Sequence, residues 1–343
     1  MKELYIYPSD GYYNLNKKIG DLIEASGGLK IKSGDKVLLK PNLIAGKPIA
    51  ITHPLFVRAV AEIIEDYGGK VEIADSPGSG EDIDSFISAG YGGFSYPFYK
   101  FDDFGVININ GFPITEKINE YDFIINLPKL KTHLLTVLTL GVKNLFGFIP
   151  GRPKKNYHIE YPDGYSFSEM LFSLYRSVKT DVTILDGIVG MEGDGPTNGT
   201  KVKIGIIALA RDPMVIDYGI SEIFKIENFP LRNIYEEHFG KMDIEIIGDI
   251  PDIPEIKLPS SRISRMPRIG KIRRLLIHKK PIPIRKNCTL CRSCEVNCPT
   301  KAISIEYGNI YINYKRCIEC YTCLEVCAFN ALKVKKFIGF RVR

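Results

Sequence analysis

KVLLKPNLIAGKPIAITHPLFVRAVAEIIEDYGGKVEIADSPGSG, residues 36–80, is the stretch that decides the fold. Lys36–Lys40 is a short apolar run closed by Pro41-Asn42, and it reads as a buried strand. After a loop, Val57, Val60, Ile63, Ile64 and Tyr67 recur at helical spacing along one face. Pro54 suits the first turn of that helix, where a missing N–H costs nothing, and Gly68-Gly69 stops it. Val71–Ala74 is the next strand. A strand, a helix and a second strand in succession form a crossover, and a crossover of this kind makes the two strands parallel.

The rhythm continues outward. The spacing predicts a helix around Asp82–Ala89 and further β-rich apolar runs at Phe123–Asn126, Val182–Leu185 and Ile204–Ala210. Helices are predicted over Phe167–Val178, Met214–Phe224 and Leu231–His238. The expected fold class is α/β, a mostly parallel sheet flanked by helices over residues 1–253. No apolar run reaches the ~18 residues of a membrane-spanning helix. The best candidate, Leu134–Pro150, is broken by Lys143 and Asn144. The first residues carry no basic segment followed by an apolar one, so a cytoplasmic protein is expected.

The formal net charge of +6 is unevenly placed. Residues 1–253 hold 26 basic and 35 acidic side chains, residues 254–280 hold nine and one, and residues 281–343 hold eleven and four. Residues 254–280 therefore read as a basic linker draped over an acidic domain, or as a segment touching an acidic partner or a membrane surface. No basic stripe lies on a recognised nucleic-acid-binding fold, which argues against that class of partner.

All eight cysteines lie between Cys288 and Cys327. Cys288-x2-Cys291-x2-Cys294-x3-Cys298 recurs as Cys317-x2-Cys320-x2-Cys323-x3-Cys327, offset by 29 residues. This is the run of bacterial two-cluster ferredoxins, in which the fourth cysteine of each run serves the other cluster. Three thiolates in a tight loop reach three corners of a cubane, and the fourth corner faces the other half. Two 4Fe–4S clusters are thus expected, one on Cys288, Cys291, Cys294 and Cys327, the other on Cys317, Cys320, Cys323 and Cys298. Zinc would need two separated pairs rather than three cysteines at every third position. Residues 281–343 become a small α+β module, with a hairpin of Ile303–Glu306 and Ile310–Ile312 turning at Tyr307-Gly308-Asn309.

Polar clusters mark the predicted strand ends: Lys40-Pro-Asn42, Thr52-His53, Asp75-Ser76, Asn126–His133 and Gly141–Asn144. In open α/β sheets such loops share a cleft at the carboxyl ends of the strands. Lys40, Lys129, Lys131, Lys143 and Thr132 would there favour an anionic ligand. His53 and His133 are candidate catalytic groups with Lys129 and Lys131, although His53 is equally well placed merely to begin a helix. Asp186–Pro196 reads as a glycine-rich loop whose Glu192 and Asp194 could be acid/base groups or ligands of a divalent metal, or simply part of a tight connection.

LLKPN, THP, DSPGSG, NLPKLKTH, GVKNLFG and DGIVGMEGDGP together resemble the family known as domain of unknown function 362, whose members often carry a C-terminal two-cluster module. The resemblance implies an α/β sandwich and one functional cleft holding Lys40, Asn42, His53, Asp75, Lys129, Lys131, His133, Lys143 and Asn144, without naming a reaction. The expected function is an oxidoreductase whose clusters pass electrons to an anionic substrate or cofactor, supplied by a redox partner protein. A non-catalytic electron carrier or assembly factor, and a transferase or ligase with structural clusters, are the alternatives.

Overall fold

The computed structural model describes residues 1–44, 48–76, 86–87, 90–151, 153–196, 198–260 and 277–338. The helix expected around Asp82–Ala89 lies outside them, Phe86 and Ile87 excepted. In chain order the strands are β1 (Lys2–Pro8), β2 (Lys36–Pro41), β3 (Lys70–Asp75) and β4 (Phe98–Lys100). A separate hairpin of β5 (Val106–Ile109) and β6 (Phe112–Thr115) follows. Then come β7 (Phe123–Leu127), β8 (Lys129–His133), β9 (Val137–Thr139), β10 (Val182–Asp194), β11 (Asn198–Ala210) and β12 (Ile244–Ile247).

The main sheet has the order β12-β1-β11-β10-β7-β2-β3-β4, with β8 and β9 attached beside β10. Its pairings are parallel except where β11 meets β1 and β10, and where β9 meets β8. The apolar run that announced β2 is buried on both faces, because Val37, Leu38 and Leu39 are all fully enclosed. Alternation sorts them: Val37 and Leu39 join Ile73, Ile125 and Leu209 on one face, and Leu38 joins Ile124 and Ala208 on the other. The first face is covered by the helices Leu15–Ala25 and Pro54–Asp66, the second by Gly164–Tyr175, Pro213–Ile223 and Pro230–Phe239.

Two stretches differ from the sequence reading. Lys129–His133, read as a loop, is strand β8, and every one of its residues is buried. Asp186–Asp194, read as a glycine-rich loop, continues strand β10, with a register shift between Gly187 and Val189. The expected linker is also ordered at both ends. Ile256 packs into the core and the Lys257 carbonyl accepts from the Gly193 N–H at 2.6 Å, while Ile277 already opens strand β13 (Ile277–Pro283). Residues 261–276 lie outside the described residues.

In the cysteine-bearing module β13 pairs antiparallel with the last strand, β16 (Leu332–Ile338). Between them β14 (Ile303–Glu306) and β15 (Asn309–Ile312) form the expected hairpin. Its two turn residues, Tyr307 and Gly308, both have positive φ (48° and 71°), the geometry of the primed turns that suit twisted hairpins.

Candidate functional site

β8 explains why lysines stand inside the molecule. In a strand, residues two apart point the same way, so Lys129, Lys131 and His133 form one row and Leu130 and Thr132 the other. Each member of the polar row has a different partner. Lys129 Nζ lies 2.7 Å from Asp186 Oδ2 and donates to the Tyr12 hydroxyl at 2.8 Å. Asp186 also accepts from Tyr12 and from the backbone N–H of His53, each at 2.9 Å. His53 stacks on Tyr12 with ring centroids 3.8 Å apart, and its Nδ1 accepts from the Leu55 N–H, capping the helix it precedes. Burial lowers its pKa, against the pull of Asp186. These groups are tied to one another and do not border the main cavity.

Lys131 donates to Asn42 Oδ1 at 2.5 Å and to the Ala50 carbonyl at 2.7 Å. Asn42 Nδ2 donates to Asn144 Oδ1, and Asn144 Nδ2 to Asn126 Oδ1, both at 2.8 Å. Asn126 Nδ2 ends the chain on the Gly141 carbonyl at 3.0 Å. All three amides donate in the same direction, away from Lys131, so their dipoles reinforce one another. Thr52 fixes the geometry from below, donating to the Leu127 carbonyl at 2.6 Å and accepting from the Asn42 N–H at 2.8 Å.

His133 reaches the cysteine-bearing module. Its Nδ1 accepts from the backbone N–H groups of Leu135 and Thr136 at 3.0 and 3.2 Å. A neutral ring in this position therefore carries its proton on Nε2, which stands 3.0 Å from Glu325 Oε1. That approach is off the line of a good hydrogen bond, and among the described residues neither atom has another hydrogen-bond partner. Burial, helped by Lys143, pushes His133 down to about 4. Burial raises the Glu325 carboxyl, but His133, Lys143 and His158 outweigh it and hold it well below the usual range.

A cavity of about 90 Å³ opens between β8 and the module. Lys131, His133, Lys143, Asn144, Lys154 and His158 line one side, and Thr322, Glu325 and Val326 line the other. Asn42, Asp75 and Ser76 also border it. Lys40 does not: it is fully buried behind, 2.8 Å from Asp75 Oδ1, with Gly147 packed so close that a Cβ there would strike both partners. Lys154 donates to the Ser76 carbonyl, and burial depresses its pKa to about 8. Lys143 has the rings of Phe146 and Phe167 within 6 Å, at 5.9 and 5.8 Å, and burial lowers its pKa too. His158 Nδ1 is buried without a hydrogen-bond partner among the described residues. Thr132 faces away, donating to the Met191 carbonyl at 3.3 Å.

Glu192 and Asp194 lie away from this cavity. Glu192 accepts from the Lys257 N–H at 3.0 Å and Asp194 from the Ser260 N–H at 2.7 Å, so both pin the chain as it leaves the sheet. Lys154, His158 and Glu325 were not legible as site residues. Lys154 and His158, one helical turn apart, were the available signal for two of them.

The cysteines gather in two places. Cys288, Cys291, Cys294 and Cys327 line one small cavity, and Cys298, Cys317, Cys320 and Cys323 line another. Burial and the crowding of Cys327, Cys291 and Cys288 push Cys294 up to about 12, a cost that bound iron removes by holding the thiolates. Among the described residues no three His, Cys, Asp or Glu side chains are placed to grip one metal ion. Four cysteines around each cavity is the ligand count of a 4Fe–4S cluster.

The pattern described as domain of unknown function (DUF362) matches residues 37–222, more than half of the chain. The chain belongs to this family. A 4Fe-4S dicluster domain matches residues 287–332, and the protein is an iron–sulfur protein with two 4Fe–4S clusters as cofactors. The chain is similar to the thylakoid-associated protein sll1697 of Synechocystis sp., with 35% identity over 258 residues that cover 70% of this chain and 77% of that protein. The dicluster domain alone is similar to the electron transport protein HydN of Escherichia coli, with 41% identity over 51 residues, 13% of this chain and 29% of that one. Among solved structures, the lactate racemase apoprotein of Thermoanaerobacterium thermosaccharolyticum aligns at a TM-score of 0.43 and 12% identity, over 65% of this chain and 57% of that chain. Among the described residues no helix is long and apolar enough to cross a membrane.

Proposed function

We propose that this family member is an oxidoreductase in which electrons leave the two-cluster module for a small anion held in the cavity beside β8. The observation that carries the reading is a single cavity with two kinds of wall. Lys131, His133, Lys143 and Lys154 come from the α/β domain, and Thr322, Glu325 and Val326 come from the segment between Cys320 and Cys327. The clusters, held by Cys288, Cys291, Cys294 and Cys327 and by Cys317, Cys320, Cys323 and Cys298 in our assignment, supply one-electron transfer.

The residues themselves argue for the charge of the ligand. Lys131 and Lys154 donate to neutral oxygens, and Lys143 has no hydrogen-bond or ion-pair partner among the described residues. Asp75 is engaged by Lys40, and Glu325 faces His133. Three lysine amines thus converge with little anionic compensation, burial lowers the pKa of each, that of Lys131 most strongly, and an anion would stabilise their charged forms. A space of about 90 Å³ is well short of the ~300–1,000 Å³ of ordinary small-molecule pockets, which favours a small carboxylate or oxyanion over a nucleotide. The Leu135 and Thr136 N–H groups hold the His133 ring through Nδ1, which leaves Nε2 on the side of Glu325, and both residues border the cavity. Fusion of the two domains raises the effective concentration of donor at acceptor. We place the reaction in the cytoplasm, where thiols stay reduced for cluster assembly.

Anaerobic calorimetry with sulfate, oxalate and pyruvate tests the reading, together with reoxidation of the dithionite-reduced protein. One of these anions should bind, and Lys143→Met should weaken it about tenfold or more, the scale of a lost charge-assisted contact, without altering the visible absorbance of the clusters. Reoxidation should accelerate with a reducible ligand. Identical reoxidation with and without every ligand, and a stable complex with a partner enzyme instead, would favour the non-catalytic carrier.

A further inference from the structure

The two halves of the module repeat in conformation as well as in cysteines. Leu290 and Glu319, Arg292 and Tyr321, and Lys301 and Asn330 are pairs at the 29-residue offset, all with φ between 50° and 63°. The short helices Ser293–Val296 and Thr322–Glu325 obey the same offset. Equivalent positions nevertheless have opposite surroundings. Glu325 is turned into the cavity against β8, whereas its counterpart Val296 is 68% exposed. Tyr321 is buried, whereas its counterpart Arg292 has a side chain 62% exposed. The surface by which the second half meets the α/β domain has an uncovered twin on the first half.

That twin lies over a cluster site. Arg292 and Phe329 border the cavity of Cys288, Cys291, Cys294 and Cys327, and Cys291 is exposed. Val296, Leu290 and Phe329 supply exposed apolar area. Arg285, Lys286 and Lys301 are exposed as well, and the one acid between Arg285 and Lys301, Glu295, already faces Arg292 at 3.5 Å and accepts from the Ile305 N–H at 3.1 Å. Exposed apolar and basic side chains carried by one short segment, Arg285–Lys301, with Phe329 beside the same cluster site, are complementary to a protein surface that is apolar and acidic.

We infer that this flank of the first half is the docking face for a small acidic electron-carrier protein, so that electrons enter beside Cys291 and leave beside Glu325. One electron crosses per encounter: the carrier's metal centre is oxidised by one, the module is reduced by one, and no atom is exchanged. The inference rests on the electron-delivery reading of the module but not on what the cavity binds.

The test measures affinity with both proteins oxidised, using an acidic plant-type ferredoxin as the probe. The dissociation constant should weaken steeply with salt, and Lys286→Glu and Val296→Asp should each weaken it about tenfold. Phe239→Ser, on an exposed helix end of the α/β domain, should leave it unchanged. Visible absorbance confirms that each variant retains its iron, and dithionite should reduce all of them alike. Affinity unmoved by salt or by both variants overturns the inference. So does a dimer, or binding to anionic vesicles, that Val296→Asp abolishes, since the face would then serve a second copy or a membrane. Failure of the unaltered protein to bind any of the anions, with carrier binding intact, would count against the cavity reading alone.

Discussion

Lys154 couples the cavity to pH. Burial lowers its pKa to about 8 from 10.5, with Asp75 and Asp102 opposing the shift and Lys40 and Lys143 adding to it. Below pH 8 both the folded and unfolded chains hold this proton, and the cost of burying the charge is fully present. Between about 8 and 10.5 the unfolded chain binds a proton that the folded chain has lost, so stability contributed by this residue rises with pH. Anion affinity moves the other way, because the deprotonated amine no longer attracts the ligand. Sulfate binding by calorimetry should therefore weaken as pH rises through about 8, while the urea midpoint gains over the same window; Lys154→Met should flatten both. Nothing in GRPKKNYH announced this residue. A lysine two places after an arginine and beside another lysine reads as solvated, and only the enclosing walls make it otherwise.

At the level of elements, β2 and β7 were legible because they are enclosed on both faces and so carry apolar runs, Val37–Leu39 and Phe123–Ile125. β8 was not, because its alternation is inverted: the polar row of Lys129, Lys131 and His133 points inward along with the apolar one. A strand that buries its charges carries the letters of a loop. β10 was half legible for a related reason, its later glycines letting backbones approach closely; a Cβ at Gly190 would meet the Leu130 carbonyl of β8 at 2.8 Å. The same crowding makes Gly147 a test of the cleft floor. Gly147→Ala would drive a methyl group into Lys40 and Asp75, and overpacking of this kind costs about 1–3 kcal/mol. Urea denaturation should show that loss, and anion affinity should fall with it because Asp75 borders the cavity.

For the whole molecule, the cysteine repeat and the class of the larger domain were written plainly in the sequence, since ligand spacing and apolar periodicity are local. The seam between them was not, because Glu325 and His133 are separated by most of the chain and meet only after both parts have folded. Removal of iron by a chelator should therefore act on one side of the seam first. In hydrogen exchange, amides of β13 and β16 should lose protection while those of β2, β7 and β11 keep it, and sulfate affinity should drop as the Glu325 wall loosens. The unequal exposure of the cysteines has another consequence. Cys291 is open to solvent, whereas Cys320 and Cys323 of the other set are buried. Dissolved oxygen will thus corrode the outer end of the chain of centres before the inner one. A protein that has met air passes through a half-metallated form whose inner end is intact, and it can be repaired from outside without unsealing the seam.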